Sequence, residues 1–212
     1  MNLLEYPFDP SLILQKKRSL KRELSKKEGL IPKKIALLSG STIGEVKNIL
    51  ELFLLENGIQ PTFYEGGYSL FYENIVFDDG SLANFQPDFI YIHTSWRNLK
   101  NLPSQMDSPE LCQQKLDAEY NRFEQVWKAA QKFGCPIIQN NFDLPVYRVM
   151  GNLDAVDVHG KVRFIRKLND KMAEYAATTP NFYINDLAYL QAVYGMEQFS
   201  SQTAWYAYKY LC

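Results

Sequence analysis

Short apolar runs alternate with longer, mostly helical patterns along most of the chain. The runs predict buried β-strands at residues 34–38, 62–64, 89–93, 136–139 and 182–184. The longer patterns predict helices at residues 46–57, 109–133, 162–177 and 187–193. Strands that alternate with helices are typical of a mostly parallel sheet with helices on both faces. The pattern therefore predicts an α/β fold with an open, flavodoxin-like sheet.

A further helix is predicted at residues 11–28, before this alternation begins. Asp9 and Pro10 are typical of a helix cap and a first-turn proline, and Gly29 is typical of a helix end. One stripe of this helix is apolar and carries Leu12, Leu20 and Leu24. The domain organisation expected is a helical arm, residues 1–30, followed by an α/β domain, residues 31–212.

The arm is basic, although the whole chain has a net charge of −1. Residues 1–34 carry nine Lys or Arg side chains against four Asp or Glu side chains. A basic arm could attract an acidic partner by electrostatic steering. The alternative, a solvated helix that rests one face on the domain, is the simpler interpretation and is favoured.

Composition excludes several classes of protein. Hydrophobic residues make up 46% and charged residues 22% of the chain, which is ordinary for a globular protein. No apolar run is long enough to cross a membrane, and no secretory signal is visible at the N-terminus. The three cysteines lack metal-ligand spacing, so a cytoplasmic location is expected. The near-neutral net charge gives no indication of nucleic-acid binding.

Ligands of open parallel sheets bind where the strands end. The site is therefore expected in the loops that follow the predicted strands. These loops are residues 39–44, 65–68, 94–98, 140–143 and 185–189.

The first of these loops places Ser41 on a tight turn between a strand and a helix. Such a serine could act as a nucleophile, or Gly40, Ser41 and Thr42 could hold an anion at the helix start. The alternative is structural, because Thr42 and Glu45 have the spacing of a capping box. No Walker or dinucleotide-binding motif occurs here.

A second polar loop contains Thr94, Ser95, Arg97 and Asn98. Arg97 could bind a carboxylate or a phosphate, and the other side chains could donate hydrogen bonds to a substrate. The alternative is that Trp96 packs on the domain while Arg97 pairs with a nearby acid. The position of the loop favours a role in ligand binding.

Only two histidines are available as a general base. His93 ends a strand and is expected to be a packed, neutral imidazole. His159 follows Asp157 by two residues, which is compatible with part of a Ser–His–Asp triad or with a polar turn before a helix.

No metal site is predicted from the acidic residues. There are two pairs of acids, Asp154 with Asp157 and Asp78 with Asp79, and neither pair has a third ligand nearby. These four residues are therefore expected to be solvated turn residues.

Several stretches resemble the N-terminal domain of FkbH-like proteins, which belong to subfamily IIIC of the haloacid dehalogenase (HAD) superfamily. The resemblance covers residues 30 to 210 approximately. The stretches that carry it are residues 34–42, 50–59, 64–68, 87–88, 93–98, 152–157, 164–169, 185–186 and 205–210.

The resemblance implies an SGNH-hydrolase-like three-layer sandwich joined to a C-terminal, phosphatase-like HAD domain. It also implies a role in polyketide or polysaccharide biosynthesis, in which a glyceryl unit derived from phosphoglycerate is loaded onto the thiol of an acyl carrier protein. The Asp-x-Asp-x-Thr/Val motif of the HAD domain is absent from this sequence. Mg²⁺ is therefore expected only with the HAD domain, and no cofactor is expected in this chain.

The SGNH motifs are only partly present. Ser41 matches the serine of the first block, with Gly40 where an aspartate is usual, and Gly67 and Asn98 match the second and third blocks. In the last block, Asp186 is followed three residues later by Tyr189 where the histidine base normally stands. The resemblance therefore favours an accessory domain that positions a substrate or a carrier protein for a HAD domain in cis or in trans. A serine esterase or acyltransferase that uses Ser41, and a module that binds a small anion, are the alternatives.

Overall fold

The computed structural model describes residues 3–211 and confirms the predicted α/β fold. Within this range, five parallel strands form one sheet in the order β2-β1-β3-β4-β5, which is the flavodoxin-like strand order. The strands are β1 (Ile31–Ser39), β2 (Ile59–Glu65), β3 (Phe89–His93), β4 (Ile137–Asn140) and β5 (Phe182–Asn185).

Helices connect the strands and extend beyond the last one. They are α1 (Pro10–Leu24), α2 (Gly44–Glu56), α3 (Phe71–Val76), α4 (Ser81–Phe85), α5 (Pro109–Gln131), α6 (Lys161–Thr178), α7 (Leu187–Tyr194), α8 (Met196–Phe199) and α9 (Gln202–Tyr208). The predicted elements all exist, with ends that differ by a few residues. The four short helices α3, α4, α8 and α9 were not predicted.

The two faces of the sheet are covered differently. Helices α3, α5 and α6 pack on one face and enclose the largest apolar cluster, in which Ile90, Ile137 and Trp127 are at most 1% exposed. On the opposite face, α2 packs over the first half of the sheet and buries Ile35 and Leu37. This arrangement gives three layers, with α1 outside α2.

Helix α1 rests on α2 through an apolar stripe, as the favoured interpretation of the arm predicted. Asp9 caps it by accepting a hydrogen bond from the Leu12 N–H at 3.0 Å, and Pro10 is its first residue. The helix ends at Leu24, four residues earlier than predicted. The contact with α2 is a cluster that contains Leu4, Ile13, Leu24, Leu52 and Leu55.

Charged pairs lie beside this apolar contact. Lys17, Lys21 and Lys27 each approach a carboxylate of α2 at 2.6 Å; the three acceptors are Glu45, Glu51 and Glu56. Acids of α2 therefore neutralise part of the basic charge of the arm. Among the described helices, none combines the length and the apolar character needed to span a bilayer.

Candidate functional site

The loop after β1 places Ser41 at the carboxyl edge of the sheet but buries it. Only 2% of Ser41 is exposed. The Ser39 hydroxyl donates to the Ser41 carbonyl at 2.7 Å, and the Ser41 N–H donates back to Ser39 Oγ at 3.0 Å. The hydroxyl of Ser41 lies 3.4 Å from that of Ser39. This geometry forms a tight turn whose serine hydroxyl points to another hydroxyl rather than to a base.

Asn98 links this turn to the loop after β3. Its Nδ2 donates to the Gly40 carbonyl at 2.8 Å, while its Oδ1 accepts from the Ser95 N–H at 3.0 Å. A Cβ atom on residue 40 would lie 2.3 Å from Asn98 Nδ2, so only glycine allows this approach. The structure thus brings together Gly40, Ser41, Ser95 and Asn98.

A C-terminal segment, residues 200–211, lies over both loops; we call it the C-terminal strap. The Thr42 hydroxyl donates to the Tyr208 carbonyl at 2.7 Å, and the Thr42 N–H donates to the Lys209 carbonyl at 2.9 Å. The alternative interpretation, that Thr42 and Glu45 form a capping box, is wrong, because α2 begins at Gly44 and has no side-chain cap. The Thr42 hydroxyl is used instead to hold the strap.

Arg97 lies between two indole rings beneath the strap. Its guanidinium carbon is 5.0 Å from the ring centroids of both Trp96 and Trp205, and its Nη2 donates to Ser200 Oγ at 3.3 Å. Burial lowers the pKa of Arg97, and the nearby Asp143 opposes this shift. Among the described residues, the buried Arg97 Nε and Trp96 Nε1 have no hydrogen-bond acceptor.

Asp143 is a buried carboxylate next to the loop that contains Trp96 and Arg97. It accepts from the Trp96 N–H at 3.2 Å and is 1% exposed. Burial raises its pKa to about 6, against the opposing effect of that hydrogen bond and of the Arg97 charge. The loop that contains Asp143 was predicted to lie at this edge, but its pairing with the Arg97 loop was not.

His93 belongs to a polar cluster at the ends of β3, β4 and β5. Its Nδ1 lies 2.9 Å from the Tyr91 hydroxyl and 3.0 Å from Asn140 Nδ2, and Asn140 Oδ1 accepts from Asn185 Nδ2 at 2.8 Å. Burial lowers the pKa of His93 to about 4, so the imidazole is neutral near pH 7, as expected from the sequence. The described residues supply no partner for its Nε2.

The other candidate for a base, His159, is engaged elsewhere. Its Nδ1 lies 2.6 Å from Asp157 Oδ1, and its Nε2 lies 3.0 Å from the Asp107 carbonyl. The hydrogen bond with Asp157 raises the pKa of His159. Within residues 3–211, no hydrogen bond connects this pair to Ser41. Asp154, expected to be solvated, is 2% exposed instead.

The last block of the SGNH pattern has a structural role here. Asp186 Oδ1 accepts from the Tyr189 N–H at 3.0 Å and thereby caps α7, and it also accepts from Asn141 Nδ2 at 2.7 Å. The Tyr189 side chain is 63% exposed. Neither residue has a hydrogen bond to Ser41 among the described residues.

Two further residues that were predicted to bind a ligand, Thr94 and Gly67, form different contacts from the residues described above. Thr94 is fully buried and accepts from Gln139 Nε2 at 2.9 Å through its hydroxyl. Gly67 lies after β2, the edge strand, where a Cβ atom would approach the Leu70 side chain at 2.7 Å. In the described part of the chain, no cluster of three or more His, Cys, Asp or Glu side chains could hold a metal ion.

Sequence reasoning missed two contributors to the site, Ser39 and Trp205. Ser39 lies in a loop that the sequence pointed to, but only the folded turn shows that its hydroxyl meets Ser41. Trp205 is distant in sequence, and although residues 205–210 carry part of the family resemblance, nothing in the sequence placed its side chain beside Arg97.

The loops at the strand ends lie within the part of the chain that matches a known family. The model of the family described as "FkbH, N-terminal domain" matches residues 34–210. The chain belongs to this family. The match covers the whole sheet apart from the first residues of β1 and includes most of the strap.

One solved structure supports the same fold for this FkbH domain. The N-terminal part of the protein BF1531 from Bacteroides fragilis, which contains a phosphatase domain and is complexed with Mg, superposes with a TM-score of 0.78 at 18% identity. The alignment covers 92% of this chain and 51% of that one, so the FkbH domain spans about half the length of this relative. A GDSL-like lipase from Bacteroides thetaiotaomicron matches at a TM-score of 0.40 and 14% identity, covering 79% of this chain and 77% of its own. No curated protein matches.

Proposed function

We propose that this FkbH domain is a positioning domain. In this proposal it holds an anionic substrate, and docks a carrier protein, for a phosphatase-like HAD domain that acts in cis or in trans. The transferred group is a glyceryl or acyl unit, and the pathway is polyketide or polysaccharide biosynthesis. Mg²⁺ serves the HAD domain, and no step proposed for this chain depends on it.

The unsatisfied N–H donors beside the strap are the observation that carries this proposal. Arg97 Nε and Trp96 Nε1 are buried without an acceptor among the described residues. Buried donors are nearly always paired in folded proteins, so two adjacent exceptions favour a ligand that supplies acceptor oxygens. A carboxylate or phosphate group suits a guanidinium best, because charged hydrogen bonds are the stronger ones.

The surroundings of Ser41 argue against the esterase alternative. A catalytic serine needs a base within hydrogen-bonding reach and an open approach for the substrate. Ser41 is 2% exposed beneath the strap, and its hydroxyl lies nearest to Ser39. The imidazoles of His93 and His159 form their hydrogen bonds with other groups.

The exposed side of α1 supports carrier docking. Arg18 and Arg22 are exposed and lie four residues apart on α1, Lys26 is exposed in the turn that follows it, and the three take part in no ion pair among the described residues. Residues four apart on a helix share one face. An acidic carrier protein would meet this row of positive charges, while the lysines on the inner side remain paired with α2.

The substrate part of the proposal is tested with Arg97→Gln in a transfer assay that contains this chain, the HAD domain, a carrier protein and phosphoglycerate. The KM for phosphoglycerate should rise about 10- to 100-fold, the loss expected for a hydrogen bond to a charged group. Hydrolysis of p-nitrophenyl phosphate by the HAD domain should stay unchanged. Arg148→Gln, which changes an exposed arginine, is the matched control. An unchanged KM in Arg97→Gln would remove the anion-binding role.

The esterase alternative is tested by p-nitrophenyl acetate hydrolysis with the unsubstituted chain and Ser41→Ala. Because Ser41 is buried and lacks a base, both proteins should give the same background rate. Turnover that disappears in Ser41→Ala would establish Ser41 as a nucleophile and replace the positioning role.

A further inference from the structure

Helix α9, the middle part of the C-terminal strap, has seven residues and none of them is buried. Helices α3 and α4 are similarly short, but each buries a side chain in the main core: Phe71 is 4% exposed and Leu82 is 0% exposed. A helix of this length is not stable by itself in water, because the cost of nucleation exceeds the gain from its few hydrogen bonds. Segments with few buried apolar contacts open most easily. Helix α9 therefore depends on its contacts with the loops at the strand ends.

Apolar residues anchor the chain on both sides of α9. Phe199 lies directly before the strap and is 8% exposed, and Leu211 lies at the end of the strap and is 4% exposed. Both pack with Leu187 of α7 in one apolar cluster. The chain is therefore fixed before and after α9, while α9 itself contributes no residue to this cluster.

The residues between these anchors and α9 are suited to act as hinges. Ser200 and Ser201 are extended just before α9. Lys209, just after α9, has a φ of 57°, a left-handed conformation that is unfavourable for a residue with a Cβ atom. Hinges are short stretches at the ends of elements that absorb a change in φ and ψ. Helix α9 can thus lift as a unit while the apolar anchors stay buried.

Two residues of the strand-end loops hold α9 in place. Thr42 donates from its hydroxyl and from its N–H to two backbone carbonyls at the end of α9, at 2.7 and 2.9 Å. Arg97 donates from Nη2 to Ser200 Oγ at 3.3 Å, and its guanidinium carbon is 5.0 Å from the ring centroid of Trp205. Because the proposed anion site also uses Arg97, the strap and an anion share the same guanidinium.

The donors proposed to bind an anion are out of reach while α9 is closed. Arg97 Nε and Trp96 Nε1 are buried, and the described residues give them no acceptor. A nitrogen atom that is buried from water is also closed to a carboxylate or a phosphate group, because these groups are larger than water. Trp205 covers the guanidinium from the side of α9, so a movement of α9 opens a path to it.

We propose that α9 is a lid over the anion site. It lifts away from Thr42 and Arg97 to admit an anion, and it closes again with Trp205 over the bound group. This inference rests on the proposed function, which supplies the anion. In the ligand-free protein the Ser200 hydroxyl accepts from Arg97, and an anion replaces this neutral acceptor by a charged one, which forms the stronger hydrogen bond. Closure then keeps water away from the bound group, as lids of enzymes do.

The first measurement is hydrogen exchange of the ligand-free 212-residue chain, followed by mass spectrometry. Peptides that cover α9 are compared with peptides that cover α5, at urea concentrations below the unfolding transition. We expect α9 to exchange at least about 100-fold faster than α5, at a rate that urea leaves nearly unchanged, because local opening exposes little surface. Exchange of both helices at one rate and with one urea dependence would overturn the proposal, since α9 would then open only when the whole chain unfolds.

Thr42→Val tests the contact that holds the lid, because it removes the hydroxyl and keeps the branched shape. Helix α9 should then exchange about 2- to 10-fold faster, as expected for the loss of one hydrogen bond, and α5 should exchange as before. Thr42→Ser keeps a hydroxyl and should restore the slower exchange of α9. Thr62→Val, at an exposed position of β2, is the matched control and should change neither helix. Equal α9 rates in Thr42→Val and Thr62→Val would overturn the proposal.

The last measurement repeats the exchange with phosphoglycerate at a saturating concentration. Exchange of α9 should become at least about threefold slower, because the bound anion favours the closed lid, and Arg97→Gln should remove this effect. Exchange of α9 that ignores phosphoglycerate would overturn the lid. The transfer assay with Arg97→Gln separates the two proposals in that event: a raised KM leaves the proposed function standing, whereas an unchanged KM removes it as well.

Discussion

His93 and Asp143 are buried ionisable residues whose pKa values shift in opposite directions. Burial lowers the pKa of His93 to about 4 and raises that of Asp143 to about 6. The lowered value of His93 means that stability decreases as the pH falls from 6.5 towards 4, since the unfolded chain binds the proton more readily. The raised value of Asp143 means that stability decreases as the pH rises from about 4 to about 6. The two effects oppose each other over the same pH range.

We therefore expect Asp143→Asn to reveal the His93 effect. Its free energy of unfolding should increase by about 3 kcal/mol between about pH 4 and pH 6.5, because the difference between a pKa of 6.5 and a pKa of about 4 corresponds to roughly that amount. The unsubstituted protein should change much less over this range. Urea unfolding at a series of pH values checks this, and parallel curves for the two proteins would contradict it.

Gly40 is the residue on which the contact between the first two loops depends. Gly40→Ala would place a Cβ atom 2.3 Å from Asn98 Nδ2 and displace an amide that makes two hydrogen bonds. We expect a loss of about 1–3 kcal/mol of stability in urea unfolding. Gly44→Ala is the control, because a Cβ atom there has no neighbour within 4 Å. Adding Asn98→Ala to Gly40→Ala should cost little more, since the contact is already lost.

At the scale of single residues, the positions of the strand ends predicted where the candidate ligand-binding loops lie. They did not predict which residues of these loops contact each other. Ser41, Arg97 and Asn98 were all placed at the strand ends from the sequence. The acceptors of Thr42 were not predictable, because Tyr208 is 166 residues away. A local capping pattern was therefore outweighed by a contact that exists only in the folded chain.

Among the secondary-structure elements, α1 shows which force holds a peripheral helix. Its ion pairs are partly exposed, and such pairs contribute about 0–1 kcal/mol each. Leu24 is 6% exposed against α2 and contributes through burial. The apolar stripe should therefore dominate.

Two substitutions separate these contributions. Leu24→Ala should lower the free energy of unfolding by about 2–4 kcal/mol, as for other buried leucines. Lys21→Met should change it by less than about 1 kcal/mol. Both are measured by urea unfolding, and a larger loss for Lys21→Met than for Leu24→Ala would reverse this ranking.

The elements that the sequence did not predict are short. Helices α3 and α4 contain six and five residues, too few to show a helical period. They form because their apolar side chains reach the core, as with Phe71 at 4% and Leu82 at 0% exposure. Long elements such as α5 carry several periods and both end signals, so their limits were predicted closely.

At the scale of the whole molecule, the two faces of the sheet should respond differently to the same substitution. Ile137→Ala, on the covered face, should cost about 2–5 kcal/mol. Ile138→Ala, on the open face, should cost clearly less in the 212-residue chain because its side chain buries less area. Urea unfolding of the two variants compares them directly, and equal losses would contradict the asymmetry.

The sequence predicted the layers but not this asymmetry. Ile137 and Ile138 are the same residue type in one apolar run, and nothing local distinguishes the face that α5 and α6 cover from the face that stays open. Which faces are covered depends on where every connection runs. The strand alternation could therefore establish the architecture, while the open half of the sheet face became visible only in three dimensions.

The position of Arg97 between Trp96 and Trp205 also gives this protein an internal optical signal. Of its three tryptophans, Trp127 is fully buried in the main core, and the other two flank the guanidinium. An anion that draws Arg97 away would change the environment of both flanking indoles and leave Trp127 as a constant background. Ligand binding at the strap would then be followed by the protein's own fluorescence, without a dye or a label.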